Sequence, residues 1–159
     1  MIFLHPALLP AGPLMAIDPG TKTIGVAVCD KARSVVTPVT TIERVKFTPD
    51  AAALLKLYDE RECAGLIVGL PLHMDGGDGR RAQSARSFVT NLLRLRDLPV
   101  SYQDERLSTF AASEALLEAG IKHADHKAVI DAQAAAIILQ SALERIGEGA
   151  PRSGAEGRA

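Results

Sequence analysis

The chain has 159 residues, 47% hydrophobic and 23% charged, with 18 Lys+Arg against 19 Asp+Glu and a net charge of −1. That length suits one compact domain, and the composition excludes a disordered or fibrous chain. The charge balance excludes a generally basic surface, so a polyanion would have to meet a local basic patch or metal ions that mask the acids. Four Phe, two Tyr and no Trp leave little for a base-stacking platform. No apolar run approaches the roughly 20 residues of a membrane helix. The opening MIFLHPALLPAGP lacks a basic start and is broken by prolines, unlike a secretory leader. Cys29 and Cys63 are too few for a disulfide framework and sit in or beside apolar runs. They read as small buried hydrophobes in a reducing cytoplasm.

In chain order, residues 1–13 are expected to be an extension. Leu14 to Ile17 is a short apolar run ending in Asp18-Pro19-Gly20, a turn signal. Ile24 to Cys29, rich in β-branched residues, completes a β-hairpin. Ser34 to Ile42 is a third strand, and Pro38 within it argues for a sheet edge. Thr48 is the expected N-cap of a helix with Pro49 at its first position and a stripe at Ala51, Leu54, Leu55 and Tyr58. Leu66 to Leu70 shows no alternation and suits a central strand covered on both faces. A glycine-rich loop, His73 to Gly79, leads to a helix striped by Ala82, Ala85, Val89 and Leu92. Pro99 to Glu105 is a short strand. Ser108 caps a helix stopped at Gly120, and a last helix spans about Asp125 to Arg145. The Gly- and Ala-rich tail, 147–159, is expected to be disordered. The order β-β-β-α-β-α-β-α-α describes an α/β domain over 14–146: a mixed sheet with helices on its faces.

Three acids stand in awkward places. Strand parity puts Leu14, Ala16 and Asp18 on one face, so Asp18 is either part of a plain turn or a strand-end carboxylate where α/β sheets commonly bind ligands. Asp104 and Glu105 end a later strand and point to opposite faces, so only one can share a site with Asp18. Asp131 lies in DAQAAAIILQSAL, with Ala134, Ala135 and Ile138 at helical spacing, which puts a carboxylate on an otherwise apolar face. At about 4 Å and an effective dielectric of about 20, each ionised pair in such a cluster costs on the order of 4 kcal/mol. No basic residue is placed by spacing alone to neutralise three acids, whereas a divalent ion would. Oxygen-only ligands suit Mg²⁺ or Mn²⁺, and ions on a carboxylate cluster serve phosphodiester displacement. The residues therefore point to a metal-dependent nuclease.

DPGTKTIGVAVCD, IVGLPLHMDGGDG, QDERLST and the helix around DAQAAAIIL resemble, in order, the motifs of the YqgF/RuvX family. The resemblance spans about Leu14 to Leu143. Its members are RNase H-like proteins described as candidate Holliday junction resolvases and as nucleases maturing the 5′ end of pre-16S rRNA. It implies an RNase H-like sheet and makes Asp18, Glu105 and Asp131 the catalytic and metal-binding carboxylates, with Mg²⁺ or Mn²⁺ as cofactor. Cleavage leaving 5′-phosphate and 3′-hydroxyl ends is the expected outcome. Thr23 stands where relatives commonly carry a basic residue, which leaves Lys22 as the available phosphate contact. Ala128 stands where related resolvases often carry a second helix acid, which implies a smaller metal cluster.

Gly76, Gly77 and Gly79 allow positive φ, so the loop is either a plain turn or a backbone N–H nest for an anion. Arg80, Arg81, Arg86, Arg106 and Lys127, with His123 and His126, are candidates for a local basic rim against phosphates. His73 and His126 are candidates for proton transfer. The expected partner is nucleic acid, either a DNA four-way junction or an rRNA precursor, and no membrane. A two-fold symmetric junction suggests a homodimer. Two alternatives stand beside this reading. DPGTKTIGVAV also resembles the phosphate-binding hairpin of actin-like ATPases, which bind ATP between two such domains. A non-catalytic nucleic-acid-binding scaffold is the other.

Overall fold

The structure, a computed structural model, describes residues 1–107 and 127–150. Its elements are β1 (Ile2–Phe3), a 3-10 turn (Pro6–Leu8), β2 (Leu14–Pro19), β3 (Thr23–Cys29), β4 (Val36–Glu43), α1 (Phe47–Glu60), β5 (Gly65–Leu70), α2 (Arg80–Leu95), β6 (Val100–Asp104), a 3-10 turn (Glu105–Leu107) and α3 (Lys127–Glu148). The helix expected from Ser108 lies outside the described residues, as do 151–159 of the expected tail.

One sheet holds all six strands in the order β1-β6-β5-β2-β3-β4. The strands β2, β5, β6 and β1 run parallel, while β3 pairs antiparallel with both β2 and β4 to make a meander. The hairpin turn shows why glycine stands at position 20. The N–H of Gly20 donates to the Thr23 carbonyl at 2.9 Å, and a Cβ there would sit 2.9 Å from that oxygen. Arg44 clamps the same turn: its Nη1 donates to the Gly20 carbonyl at 2.7 Å and its N–H to the Lys22 carbonyl at 2.9 Å. Pro38 does sit on an edge strand, opposite Ala27, where the register shifts between Val26 and Ala27. Every residue of β5 is buried, as an apolar run without alternation requires.

Two expectations are corrected. Residues before Leu14, expected as an extension outside the domain, add an edge strand to the sheet. Ile2 and Phe3 pair with Val100 and Ser101, the Met1 carbonyl accepts from the Val100 N–H at 2.8 Å, and Leu9 enters the core. Helix α1 starts at Phe47 with Lys46 as N-cap, two residues before the expected cap Thr48. No side chain caps this helix; the buried Asp50 carboxylate instead accepts from the Val45 N–H, just before the cap, at 3.3 Å.

Helices cover both faces. Against α1 and α2 lie Met15, Ile17, Ile24, Val26, Val28, Leu66, Val68 and Val100, packed with Leu54, Tyr58, Phe88, Val89 and Leu92. Against α3 lie Leu14, Ala16, Ala27, Cys29, Val36 and Ile67, packed with Ala135, Ala136, Ile138, Leu139 and Ala142. The stripe residues Ala82, Ala85, Val89 and Leu92 of α2 are all buried. Cys29 and Cys63 are free thiols, and burial pushes the Cys63 thiol up to about 11. No helix among the described residues is long and apolar enough to cross a membrane.

Candidate active site

Because β2, β5 and β6 are parallel neighbours, their C-terminal ends meet along one edge of the sheet. Side-chain alternation puts Leu14, Ala16 and Asp18 of β2, Gly65, Ile67 and Gly69 of β5, and Ser101 and Gln103 of β6 on the α3 face, with Glu105 next in the same phase. Asp18 stands one residue past the Ile17–Val68 pair, and Glu105 two past the Gly69–Gln103 pair. The strand β5 runs between them, so their carboxyls can meet only by crossing it.

They do meet, over Gly69. A Cβ at position 69 would lie 3.1 Å from Glu105 Oε1 and 2.5 Å from Ile138 Cδ1. The missing side chain is therefore the passage through which Glu105 reaches Asp18, with Ile138 of α3 closing the site from above. Burial raises the Glu105 carboxyl, and the Asp18 charge and a shared hydrogen bond raise it further, to about 7. Arg81 in the first turn of α2 pulls in the opposite direction. Gly69 was not foreseen from the sequence. The signal was present: a glycine in LIVGL weakens a strand unless something approaches the backbone closely.

The same register decides between the two neighbouring acids. Asp104 faces the other way, where hydrogen bonds from Arg106 hold its carboxyl below the usual range against a smaller opposing effect of burial. Glu105, not Asp104, shares the site with Asp18. Asp131 lies in α3 four residues before Ala135 and seven before Ile138; its side chain lies outside the described residues, as do His123 and His126. Lys127 opens the same helix. Among the described residues no group of three His, Cys, Asp or Glu is placed to hold a metal ion. What the described site offers is a pair of half-buried carboxylates that repel one another, with oxygen donors only. That donor set suits a hard divalent cation such as Mg²⁺ or Mn²⁺ better than zinc, which prefers nitrogen and sulfur ligands.

The remaining candidates divide into free and engaged groups. Lys22, Arg80 and Arg81 are exposed at the β2–β3 turn and the start of α2. Arg86 is engaged: its Nε donates to Asp78 at 2.6 Å and its guanidinium lies 5.0 Å from the centre of the Tyr102 ring. The glycine-rich loop is folded on itself. Gly76, at φ +89°, donates its N–H to the His73 carbonyl at 2.8 Å, and the Gly77 N–H donates to Asp75 Oδ1 at 2.8 Å. The His73 N–H in turn donates to the Gly77 carbonyl at 2.9 Å. An anion at this nest would have to displace those bonds.

Comparison with known proteins gives the family and the fold. A family model described as RuvX, Holliday junction resolvase, matches residues 12–145. A relative from Paracoccus denitrificans, named as a candidate pre-16S rRNA nuclease, is 53% identical over 140 residues, covering 88% of this chain and 89% of its own. One of the same name from Ruegeria pomeroyi is 52% identical, covering 88% and 91%. Among solved structures, Thermus thermophilus RuvC superposes with a TM-score of 0.56 at 17% identity, over 85% of this chain and 96% of that one. The same protein in complex with a Holliday junction substrate gives 0.55 at 16% identity, over 86% and 96%. At such identity the likeness establishes the fold, a RuvC-like RNase H sheet.

Proposed function

Because this chain belongs to the RuvX Holliday junction resolvase family, we propose that it is a divalent-metal-dependent endonuclease of structured nucleic acid, with Asp18, Glu105 and Asp131 as its catalytic carboxylates. The observation that carries the proposal is the meeting of Asp18 and Glu105 over Gly69, at the strand-end edge where α/β folds place their ligands. Two repelling acids held together by burial are unfavourable for folding and are a common mark of a functional site. Asp131, in the first turns of the helix that covers the pair, is the third ligand in this reading.

Asp18, Glu105 and Asp131 would hold Mg²⁺ or Mn²⁺, which supplies Lewis acidity and a more acidic bound water for phosphodiester hydrolysis. The protein's own part is placement. The Gly69 gap sets how far Glu105 extends, Ile138 excludes solvent from one side of the pair, and Arg81 offers positive charge near Glu105. Lys22 and Arg80, exposed on flanking elements, would contact phosphates in this reading and give the rim that the net charge hides.

The substrate is a four-way DNA junction, an rRNA precursor or both, as the family description and the relatives' names support. Resolution of a two-fold symmetric junction calls for two copies of the site and so for a homodimer. Maturing one RNA end calls for a single copy. A cytoplasmic setting accords with the free thiols. The test is a cleavage panel of four-way DNA junction, duplex DNA, single-stranded RNA and structured rRNA precursor, each with Mg²⁺ and with Mn²⁺, alongside sedimentation. Cleavage of a structured substrate that disappears in Asp18→Asn is expected. Failure to cut any of the four with either metal removes the reading in favour of a non-catalytic binding scaffold.

A further inference from the structure

Arg106 follows Glu105 directly and looks, in sequence, like a ready contact for a phosphate. Its guanidinium is occupied elsewhere. Nε donates to both Asp104 oxygens at 3.0 Å, Nη2 donates to Asp104 Oδ2, and the backbone N–H donates to Asp104 Oδ1 at 2.9 Å. Its Nη1 crosses to the β5–α2 loop and donates to the Met74 carbonyl at 3.0 Å. Two guanidinium nitrogens lie 3.7 and 3.8 Å from where a Cβ on Gly76 would stand, so the loop also packs against the group. The Met74 side chain is 89% exposed, so the loop is held here by its backbone and not by an apolar anchor. On one side this loop leaves β5 just past Gly69; on the other it enters α2, whose first turn carries Arg81 toward Glu105.

We infer that Arg106 is a positioning residue, a latch that fastens the β5–α2 loop to the end of β6, and not a contact to the nucleic-acid backbone. The arrangement suits this role. A forked guanidinium can hold a carboxylate on one edge and a carbonyl on another, which a lysine ammonium on a flexible stem does not reproduce. The latch fixes the loop relative to the strand that carries Glu105, and through the loop it sets the start of α2. Its catalytic consequence rests on the nuclease reading, whereas the latch itself does not.

Arg106→Ala, Arg106→Lys and Asp104→Asn separate the possibilities. Amide hydrogen exchange at Gly76 and Gly77 reads the loop. Binding of a four-way DNA junction across a series of salt concentrations reads phosphate contacts. A latch predicts faster exchange at those amides, by about tenfold or more, in all three variants, because each loses a charge-assisted hydrogen bond. It also predicts an unchanged salt slope, and a fall in kcat with little change in KM that Lys fails to rescue. A backbone contact predicts the reverse: a slope reduced by about one in Arg106→Ala, retained in Arg106→Lys, with loop exchange unaltered. That result would overturn the latch. If the wild-type protein cuts no substrate, the nuclease reading falls alone, and the exchange data still decide the latch.

Discussion

The two faces of the sheet are built from different materials. The face under α1 and α2 is filled with large side chains, including Met15, Ile17, Leu54, Tyr58, Phe88 and Leu92. The face under α3 mixes large residues, among them Leu14, Ile67, Ile138 and Leu139, with the alanines 16, 27, 135, 136 and 142 and a bare glycine at 69. Small residues let a helix approach a sheet closely, and here that closeness serves the acids. It brings Ile138 down onto Gly69, beside the Glu105 carboxyl that crosses the strand there toward Asp18. Buried polar groups occur beside both faces, Asp50 in α1 among them. Gln103 is fully buried on the α3 side, with its Oε1 accepting from Arg145 Nη1 at 2.7 Å. Both faces are packed, but the one under α3 also carries the two acids that repel each other.

The sharpest break in that comparison is chemical. Asp18→Asn, Glu105→Gln and Asp131→Asn should each lower cleavage by more than the roughly 10–100-fold that loss of a residue supporting a metal ligand costs, with substrate binding largely kept. At pH 8 and without metal, Glu105→Gln should also raise the melting temperature, because it removes one of two repelling half-buried carboxylates. Full cleavage in any of the three takes that residue out of the mechanism.

Next in size is a change on the opposite face. Phe88 is buried and meets Phe47 edge-on at 5.5 Å between ring centres. Phe88→Ala should cost about 3–5 kcal/mol in urea unfolding while the folded fraction keeps its turnover. Gly69→Ala should combine both effects at smaller scale. Its Cβ would overlap Ile138 and crowd Glu105, for about 1–3 kcal/mol of overpacking. Cleavage should drop with it, and Ile138→Val should restore part of both. A Gly69→Ala protein that is destabilised but fully active would show that the passage over β5 is structural only.

The smallest effect is in pH. Glu105 binds its proton more tightly in the folded chain, with its carboxyl pushed from 4.5 to about 7 by burial and by Asp18. Its contribution to stability is therefore best at acid pH and is lost as pH rises from about the unfolded value through about 7. Metal-free protein should show this downward slope in chemical denaturation, and Glu105→Gln should flatten it. Added Mg²⁺ or Mn²⁺ should stabilise more at pH 8 than at pH 5.

Much of this was legible in the chain. The unbroken apolar run of β5, the proline of an edge strand and the parity of Asp18 are local signals, and each reports burial directly. What escaped depends on distant partners. Ile2 and Phe3 become a strand only because β6 offers a parallel edge nearly a hundred residues later. The split between Asp104 and Glu105 needed the register of β6 against β5. Arg86 and Arg106 carry the charge of a phosphate contact, but Asp78, Asp104 and the Met74 carbonyl already hold them. The amides of Gly76 and Gly77 are likewise committed within their own loop. Residue type shows what a side chain can bind, while the fold decides what it has already bound.

The most direct test is a crystal soaked in Mn²⁺ and measured for anomalous scattering. The account predicts a peak at coordination distance, about 2.0–2.2 Å, from carboxylate oxygens of Asp18, Glu105 and Asp131 together. Manganese elsewhere on the protein, with nothing at these three oxygens, would contradict it.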